Sequence, residues 1–549
     1  MEQAFPLPPG KWKGPVKWLG KNPQREYKTL VYVGRVPPRM QLKDKENPFH
    51  VLRSKHCDRV GMYKSGLLSL AVEGTDNDFV VVEPSKQNVN ATIASYDNAK
   101  FENFDDQFFK FGQQFMSFEY GSIFKDPVAN SEEVSYYTDW GKSGGYTATK
   151  HGIRTKGELV SDPLYQESDE MKRPQKTIPM MTVANKTELK VKADVLANKI
   201  RHFFISEYHL FRSQVKFGKR SSLKLKDFKW SAYGFSPFGG GVDRLARKLL
   251  SKPIRFFYDV SGWDKFIPIM KHLYAIIYSN SREYIAEEDM EEFLWMIQHT
   301  VEFYCVLYDG DIILKKYGNA SGSGTTTRDN ILMHIILAAA FLAEAYYIKM
   351  GTLPSSQLLS EQIVKLFGDD SVFAVDSDFD HVLYRKDHDD GFLNSFFKRY
   401  GMKLKFLYGG EDFPVTEMSF LGFQFKEVNG TYLPLYDSKR LATSFIHTND
   451  KLDTLEAYVS KIFVLTLMSY ASTEFMLFFN AYNTVISSLS GELTPVLKSF
   501  NEQRLSPQIL ENFYTGAESS FAGSSFFESA MEVGGRNLRF FPHVTHKRQ

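Results

Sequence analysis

The period of the apolar pattern changes along the chain. Val364, Leu366, Val372, Phe373 and Val375 are strand formers on either side of Gly368-Asp369-Asp370. They predict a tight hairpin with two carboxylates at its tip, glycine supplying the positive φ that such a turn needs. Upstream, Phe256 to Asp264 reads as an aromatic strand ending at Asp259, a turn at Ser261-Gly262, and a helix starting near Asp264 and running through Ile267 to Tyr278. Ala286 to Leu307 has helical apolar spacing. Gly318 to Asn330 is a loop of small residues that enters the longest apolar run, Ile331 to Ile348. That run contains His334 and Glu344, so a buried helix explains it better than a membrane span. Gly391 to Tyr400 predicts a helix, Lys403 and Lys405 a strand, and Ser419 to Phe423 a short apolar strand with a glycine in it. From about residue 431 the spacing is helical through Tyr482. Residues 1 to about 130 show only short mixed patterns, which predicts an irregular, packed region.

At 549 residues the chain exceeds what one hydrophobic core usually serves, so two or three subdomains are expected. Hydrophobic residues make up 43% and aromatic residues 15%, which argues against disorder. The net charge is only +2, so binding to an acidic polymer has to come from local basic clusters. One such cluster runs from Lys186 to Arg201, where Lys190, Lys192, Lys199 and Arg201 alternate with Val191, Val195 and Ile200; a second runs from Lys216 to Lys229. Spaced cations on a partly apolar ribbon suit several phosphates at once, although a solvated charged face has the same pattern. Two cysteines, Cys57 and Cys305, exclude a disulfide scaffold and a thiolate zinc site and fit a reducing compartment. Met1 to Gly10 has no apolar signal core.

The candidate chemistry is carboxylate chemistry. A Gly-Asp-Asp triplet arises by chance in roughly one chain in ten of this length, so its neighbours decide what it means. Asp259 ends a buried strand, where an aspartate is costly unless it is paired or metal-bound. Asp264 lies near a helix start, where the dipole alone would favour it. Thr326 and Asn330 share a helix face, and with Ser321 they offer hydroxyls and an amide able to read a sugar. Ser143-Gly144-Gly145-Tyr146, between Lys142 and Lys150, is either an ordinary turn or a loop that lets a backbone approach a phosphate.

In order, the chain carries a basic ribbon, Asp-x4-Asp, Ser-Gly-x3-Thr-x3-Asn and Gly-Asp-Asp. This ordered set resembles the viral RNA-dependent RNA polymerases of positive-strand RNA viruses in the picornavirus-like assemblage. Gly-Asn-x-Ser-Gly followed by Thr-Thr-Thr-x-Asp-Asn is most similar to the astrovirus and potyvirus side of that group. The resemblance spans about Ser143 to Phe423 and implies an α+β right-hand fold with fingers, an antiparallel-sheet palm and a helical thumb. The implied boundaries are fingers 1–216, palm 217–280, a fingers insert 281–318, palm 319–430 and thumb 431–549. It also implies RNA-dependent RNA synthesis, in which a primer 3′-hydroxyl attacks the α-phosphate of an NTP with two Mg²⁺ ions bound (Mn²⁺ able to substitute). Such ions favour hard oxygen ligands. By their match to the family motifs, Asp259 and Asp369 would be the principal metal ligands and Asp370 an auxiliary acid. Asp264, Ser321, Thr326 and Asn330 would recognise the ribose 2′-hydroxyl. Lys190, Lys199 and Arg201 would hold the incoming triphosphate. Ser143 and Gly145 would guide the template, and Leu421 and Gly422 would grip the primer. Lys405, with Lys403 close behind, would be the general acid. The chain departs from the family at Asp194, where many relatives carry a cation, and Lys192 is the nearest replacement.

The implied partners are template and product RNA, NTPs, other viral replication proteins and, as one candidate, a protein primer. The chain has no transmembrane segment of its own on this reading. The implied location is the host cytoplasm at membrane-associated replication complexes. A thumb of about 120 residues, small for the family, favours a primer-dependent open channel. The rivals are a reverse transcriptase, against which the Asp264/Asn330 couple speaks, and a non-catalytic viral RNA-binding protein.

Overall fold

The computed structural model describes residues 31–35, 79–81 and 106–515, except 186–188, 192, 194–201, 267–269, 317, 385–390, 447–454, 490, 492 and 503–504; it also describes Leu70 and Ile93. Along the chain the strands are β1 (Val31–Arg35), β2 (Phe79–Val81), β3 (Met180–Asn185), β4 (Leu189–Val191), β5 (His202–Ile205), β6 (Ile254–Ser261), β7 (Phe303–Val306) and β8 (Asp311–Lys315). They continue with β9 (Ile363–Phe367), β10 (Asp370–Val375), β11 (Lys403–Glu411), β12 (Ser419–Phe420), β13 (Phe423–Val428) and β14 (Thr431–Leu435). Among the described residues they form a five-stranded sheet β1-β8-β7-β3-β5, a four-stranded sheet β11-β6-β10-β9, a three-stranded sheet β12-β13-β14 and the pair β2-β4.

The four-stranded sheet is the frame of the molecule. It is antiparallel throughout. Helices lie between β6 and β9 and between β10 and β11, giving the βαββαβ connectivity of a split βαβ unit. Successive side chains on a strand point to opposite faces. Phe256, Tyr258, Phe373 and Val375 therefore face one way, and Phe257, Val372 and Ala374 face the other. The first face is closed by the central helix, Thr326–Met350. By length and composition this helix could cross a membrane, but every residue from Arg328 to Ala343 is buried in the protein. A helix apolar on all sides needs such surroundings. Its alanines and leucines favour the helix, and Gly351, at φ +75°, ends it. Phe341 touches the rings of Phe256, Tyr258, Phe373 and Phe396. The other face is closed by the helix Gly241–Leu250 and by the β12–β13 hairpin, through Val242, Leu245, Phe420 and Phe423.

The helix Gln107–Tyr120 crosses the central helix so closely that a Cβ on Gly112 would lie 2.3 Å from the Ile336 carbonyl oxygen. This part of the N-terminal region is therefore regular, contrary to the expected irregular packing; the Asp106 carboxylate accepts from the Phe109 N–H and caps the helix. Two further expectations are corrected. The helix expected over Ala286 to Leu307 stops at Val301, and the aromatic and β-branched run Phe303–Val306 is strand β7. The helical C-terminal region begins at Ser438, because 431–435 is strand β14, joined to β13 by a turn at Asn429-Gly430 with φ of 51° and 77°. C-terminal helices then enclose their own core around Phe463, Phe478 and Tyr482.

Candidate active site

In the turn between β9 and β10, Phe367 pairs with Asp370, leaving Gly368 and Asp369 as a two-residue loop. Gly368 has φ +67° and Asp369 does not have positive φ, the pattern of a type II′ turn. On the neighbouring strand, Phe373 lies opposite Phe256 and Val375 opposite Ile254. Carried three residues towards the turn, this register sets Asp370 opposite Asp259, on the face opposite the central helix. Adjacent strands are about 4.8 Å apart. Asp369 and Asp370 are exposed and Asp259 is half-buried. Three carboxylates from segments more than a hundred residues apart thus gather at one end of one sheet.

On the outer side of β6, β11 bulges between Leu404 and Phe406. A bulge re-aims the extra residue, here Lys405, whose Nζ is 2.8 Å from Asp259 Oδ2. Lys403 is exposed at the start of the same strand. Asp259, Asp369 and Asp370 offer hard oxygens suited to a divalent cation, and their chemistry fits one. No three acidic, histidine or cysteine side chains among the described residues converge as a preformed metal cage.

A second polar cluster follows β6. Asp264 Oδ1 accepts from Asn330 Nδ2 at 2.7 Å, and Oδ2 accepts from Ser321 Oγ at 3.0 Å. Asn330 Oδ1 accepts from Asn319 Nδ2 at 2.9 Å. Asn319 also donates to the Thr326 carbonyl, and its Oδ1 is left without a partner among the described residues. Asp264, Ser321 and Asn330 are therefore brought together as the pattern predicts. Thr326 is not part of this set: its hydroxyl donates to the carbonyls of Ala320 and Ser323 and closes the loop. Asn319 is an addition, legible only as the Asn of Gly-Asn-Ala-Ser-Gly. Behind the cluster, buried Arg328 pairs with Asp329 at 2.7 Å and donates to Ser221 Oγ and Tyr274 OH, anchoring the start of the central helix.

The remaining predicted residues lie elsewhere. Lys190 is on β4, in register with Val80; its side chain, and all of Lys199 and Arg201, lie outside the described residues, as do Lys192 and Asp194. In the second basic run, Lys216 is paired with Asp289 and Glu292, and Arg220 with Asp126 and Glu133, so carboxylates from other segments take up charge that the sequence suggested was free. Ser143 is exposed. Gly145, at φ +81°, packs so that a Cβ would lie 2.8 Å from Glu207 Cα, and the Gly144 carbonyl accepts from the Tyr208 N–H. Close backbone packing accounts for these glycines. Leu421 (φ 50°) and Gly422 (φ 79°) form the tip of the β12–β13 hairpin, the shape that the family resemblance implies for Phe420 to Phe423, although the apolar pattern alone reads as one short strand.

The fold and site define a carboxylate-centred site at one end of a βαββαβ sheet, flanked by an amide–hydroxyl cluster. The chain belongs to the viral RNA-dependent RNA polymerase family, whose model matches residues 83–484. It is 25% identical over 244 residues to the non-structural polyprotein 1AB of ovine astrovirus 1, covering 43% of this chain and 18% of that polyprotein. It is 22% identical over 333 residues to the corresponding turkey astrovirus 2 polyprotein, covering 57% and 20%. To the genome polyprotein of plum pox potyvirus (strain SK 68) it is 28% identical over 282 residues, covering 50% and 8%. The chain thus matches about a fifth or less of each of these relatives. Membership of the family implies a right-hand polymerase fold, with which the mixed helix-and-sheet architecture agrees, and divalent metal ions are general to the family.

Proposed function

We propose that the chain is the polymerase subunit that copies a positive-strand viral RNA genome, extending an RNA 3′-hydroxyl with NTPs on an RNA template. The observation that carries this reading is the convergence of the β6 end and the Gly-Asp-Asp turn beside the Asp264–Asn330–Ser321 cluster, in a chain of this family. The sheet β11-β6-β10-β9 is the palm, within 217–280 and 319–430. The five-stranded sheet and its surroundings, within 1–216 and 281–318, are the fingers. The C-terminal helices, within 431–549, are the thumb; β14 and the helix spanning residue 216 soften two of these boundaries.

Asp259 and Asp369, with Asp370 assisting, would hold Mg²⁺, for which Mn²⁺ can substitute. When bound, two such ions supply activation of the primer hydroxyl and neutralisation of phosphate charge. The chain's own groups do the rest. Asp264 and Asn330 present a hydrogen-bonding couple to the ribose 2′-hydroxyl, the group that separates RNA precursors from DNA precursors. The 3′-hydroxyl gives up its proton to solvent as its oxygen bonds the α-phosphorus and the bond to the bridging oxygen breaks, and Lys405, now paired with Asp259, donates a proton to the departing pyrophosphate once that pairing is exchanged and regains one from solvent. Lys190, Lys199 and Arg201 would offset triphosphate charge. Ser143 and Gly145 would border the template, and Leu421 and Gly422 the primer. The activity would serve replication in the cytoplasm of an infected host cell at membrane-associated complexes, with other viral proteins as partners and a protein primer as one candidate.

Asp369→Ala is the test. It should abolish Mg²⁺-dependent incorporation of labelled UTP on poly(A)/oligo(U) while RNA binding persists. Synthesis retained by this variant would refute the assignment. Salt-dependent RNA binding by the wild type, with no product under any condition, would favour a non-catalytic binding protein. Preference for dTTP over UTP would favour a reverse transcriptase.

A further inference from the structure

His334 sits one helical turn beyond Asn330 and is fully buried in the central helix. Its Nδ1 lies 2.8 Å from the Gly368 carbonyl oxygen and its Nε2 lies 2.6 Å from Tyr258 OH. Its ring packs on Trp263 with centroids 4.5 Å apart. Each of these partners immediately precedes an aspartate of the site: Tyr258 before Asp259, Trp263 before Asp264, and Gly368 before Asp369. A carbonyl only accepts, so Nδ1 carries the proton and Nε2 accepts from the tyrosine hydroxyl. Burial favours this neutral form, holding the imidazole down to about 4.

We propose that His334 is a positioning residue that fixes the Gly-Asp-Asp turn against the end of β6 and so sets the spacing of the carboxylates. The inference rests on the polymerase reading above. The two bonds lock the ring's orientation, and they tie both the Gly-Asp-Asp turn and β6 to the central helix beyond Phe256 and Phe373, the last β6–β10 pair before the carboxylates. The segments carrying Asp259 and Asp369 are thereby held by one helix as well as by the β6–β10 ladder. A turn that drifts by about 1 Å costs roughly 100-fold in rate when groups must be aligned for reaction.

Three variants separate positioning from packing. His334→Phe keeps an aromatic ring against Trp263 and removes both hydrogen bonds. His334→Asn keeps a donor at the Nδ1 position for the Gly368 carbonyl. Tyr258→Phe removes the bond to Nε2 and leaves the bond to the Gly368 carbonyl, at the further loss of the hydroxyl's contact with Ser371. Single-nucleotide extension should show kcat reduced roughly 10- to 100-fold in His334→Phe, KM for UTP changed less than about threefold, and most of kcat restored in His334→Asn. Mn²⁺ binding to the nucleotide-free protein, measured by calorimetry, should weaken in the same order. If His334→Phe does not fold, Tyr258→Phe carries the test, with an intermediate loss of kcat and of Mn²⁺ affinity expected. The proposal is overturned if the folded variants keep kcat and Mn²⁺ affinity within about twofold of wild type, or if His334→Asn is no better than His334→Phe at equal thermal stability. Failure of the polymerase reading looks different, since the wild type would then make no product or Asp369→Ala would remain active.

Discussion

Asn330→Ala removes one side chain that is held from two sides. Its amide donates to Asp264 Oδ1 at 2.7 Å and accepts from Asn319 at 2.9 Å. Asn330 lies in the second turn of a helix, where alanine is the better helix former by about 0.5 kcal/mol, so the fold should not suffer locally. What is lost is the orientation of Asp264, which keeps Ser321 as a partner but is free to turn. A hydrogen bond involving a charged group contributes about 1.5–3 kcal/mol. If that energy goes into reading the 2′-hydroxyl, the ratio of kcat/KM for UTP over dUTP should fall roughly 10- to 150-fold. The assay is single-nucleotide extension of an RNA primer on an RNA template, with both substrates titrated. Thr326→Val is the comparison, because its hydroxyl is spent on the loop carbonyls. It should lower stability or overall rate and leave the ratio within about twofold. An unchanged ratio in Asn330→Ala, or an equal change in Thr326→Val, would refute the reasoning.

Gly368→Ala meets no neighbour within 4 Å, so its cost is the positive φ alone, about 1 kcal/mol of stability in urea denaturation; a neutral result would mean that the turn relaxes freely. Phe341→Ala, in contact with five rings of the sheet and the 392–399 helix, should cost about 3–5 kcal/mol by the same method, and a loss below about 1 kcal/mol would contradict the packing described. His334 and His299 are held by burial down to about 4 and about 3, below the 6.5 of an exposed histidine. Below pH 6.5 the unfolded chain takes up these protons and the folded chain does not, so the stability they contribute is full above 6.5 and is lost as pH falls towards 4. Between pH 7.5 and 5 the two together should cost about 4 kcal/mol, and a flat stability profile over that range would count against their burial.

Local chemistry made the centre of the fold legible. The Gly-Asp-Asp hairpin follows from strand formers around a residue that tolerates positive φ, and the buried central helix follows from a long apolar run broken only by His334 and Glu344. Phe303 to Leu307 misled because its apolar spacing fits a helix as well as a strand, and only its aromatic and β-branched content favours β7. The hairpin into β14 was signalled by Asn429-Gly430, a strong two-residue turn, yet the apolar spacing beyond it reads as helix from 431. Partners remote in sequence were not legible. Nothing near Lys216 announces Asp289 and Glu292, and nothing near His334 announces Gly368 and Tyr258. The Asp264–Ser321–Asn330 meeting was accessible only through the motif order, and Thr326 shows the limit of that route: sharing a helix face with Asn330 did not give its hydroxyl the same target.

The close crossing at Gly112 has a practical consequence for anyone trimming this protein. The helix Gln107–Tyr120 touches the backbone of the central helix, and Tyr400 OH reaches back to Asp106 Oδ2 at 2.8 Å. A shortened version beginning after residue 120 would strip the covering from the element that backs the carboxylate strands, exposing an oily seam. Expression of such a fragment should yield aggregates, whereas one that keeps residue 106 onward retains that cover.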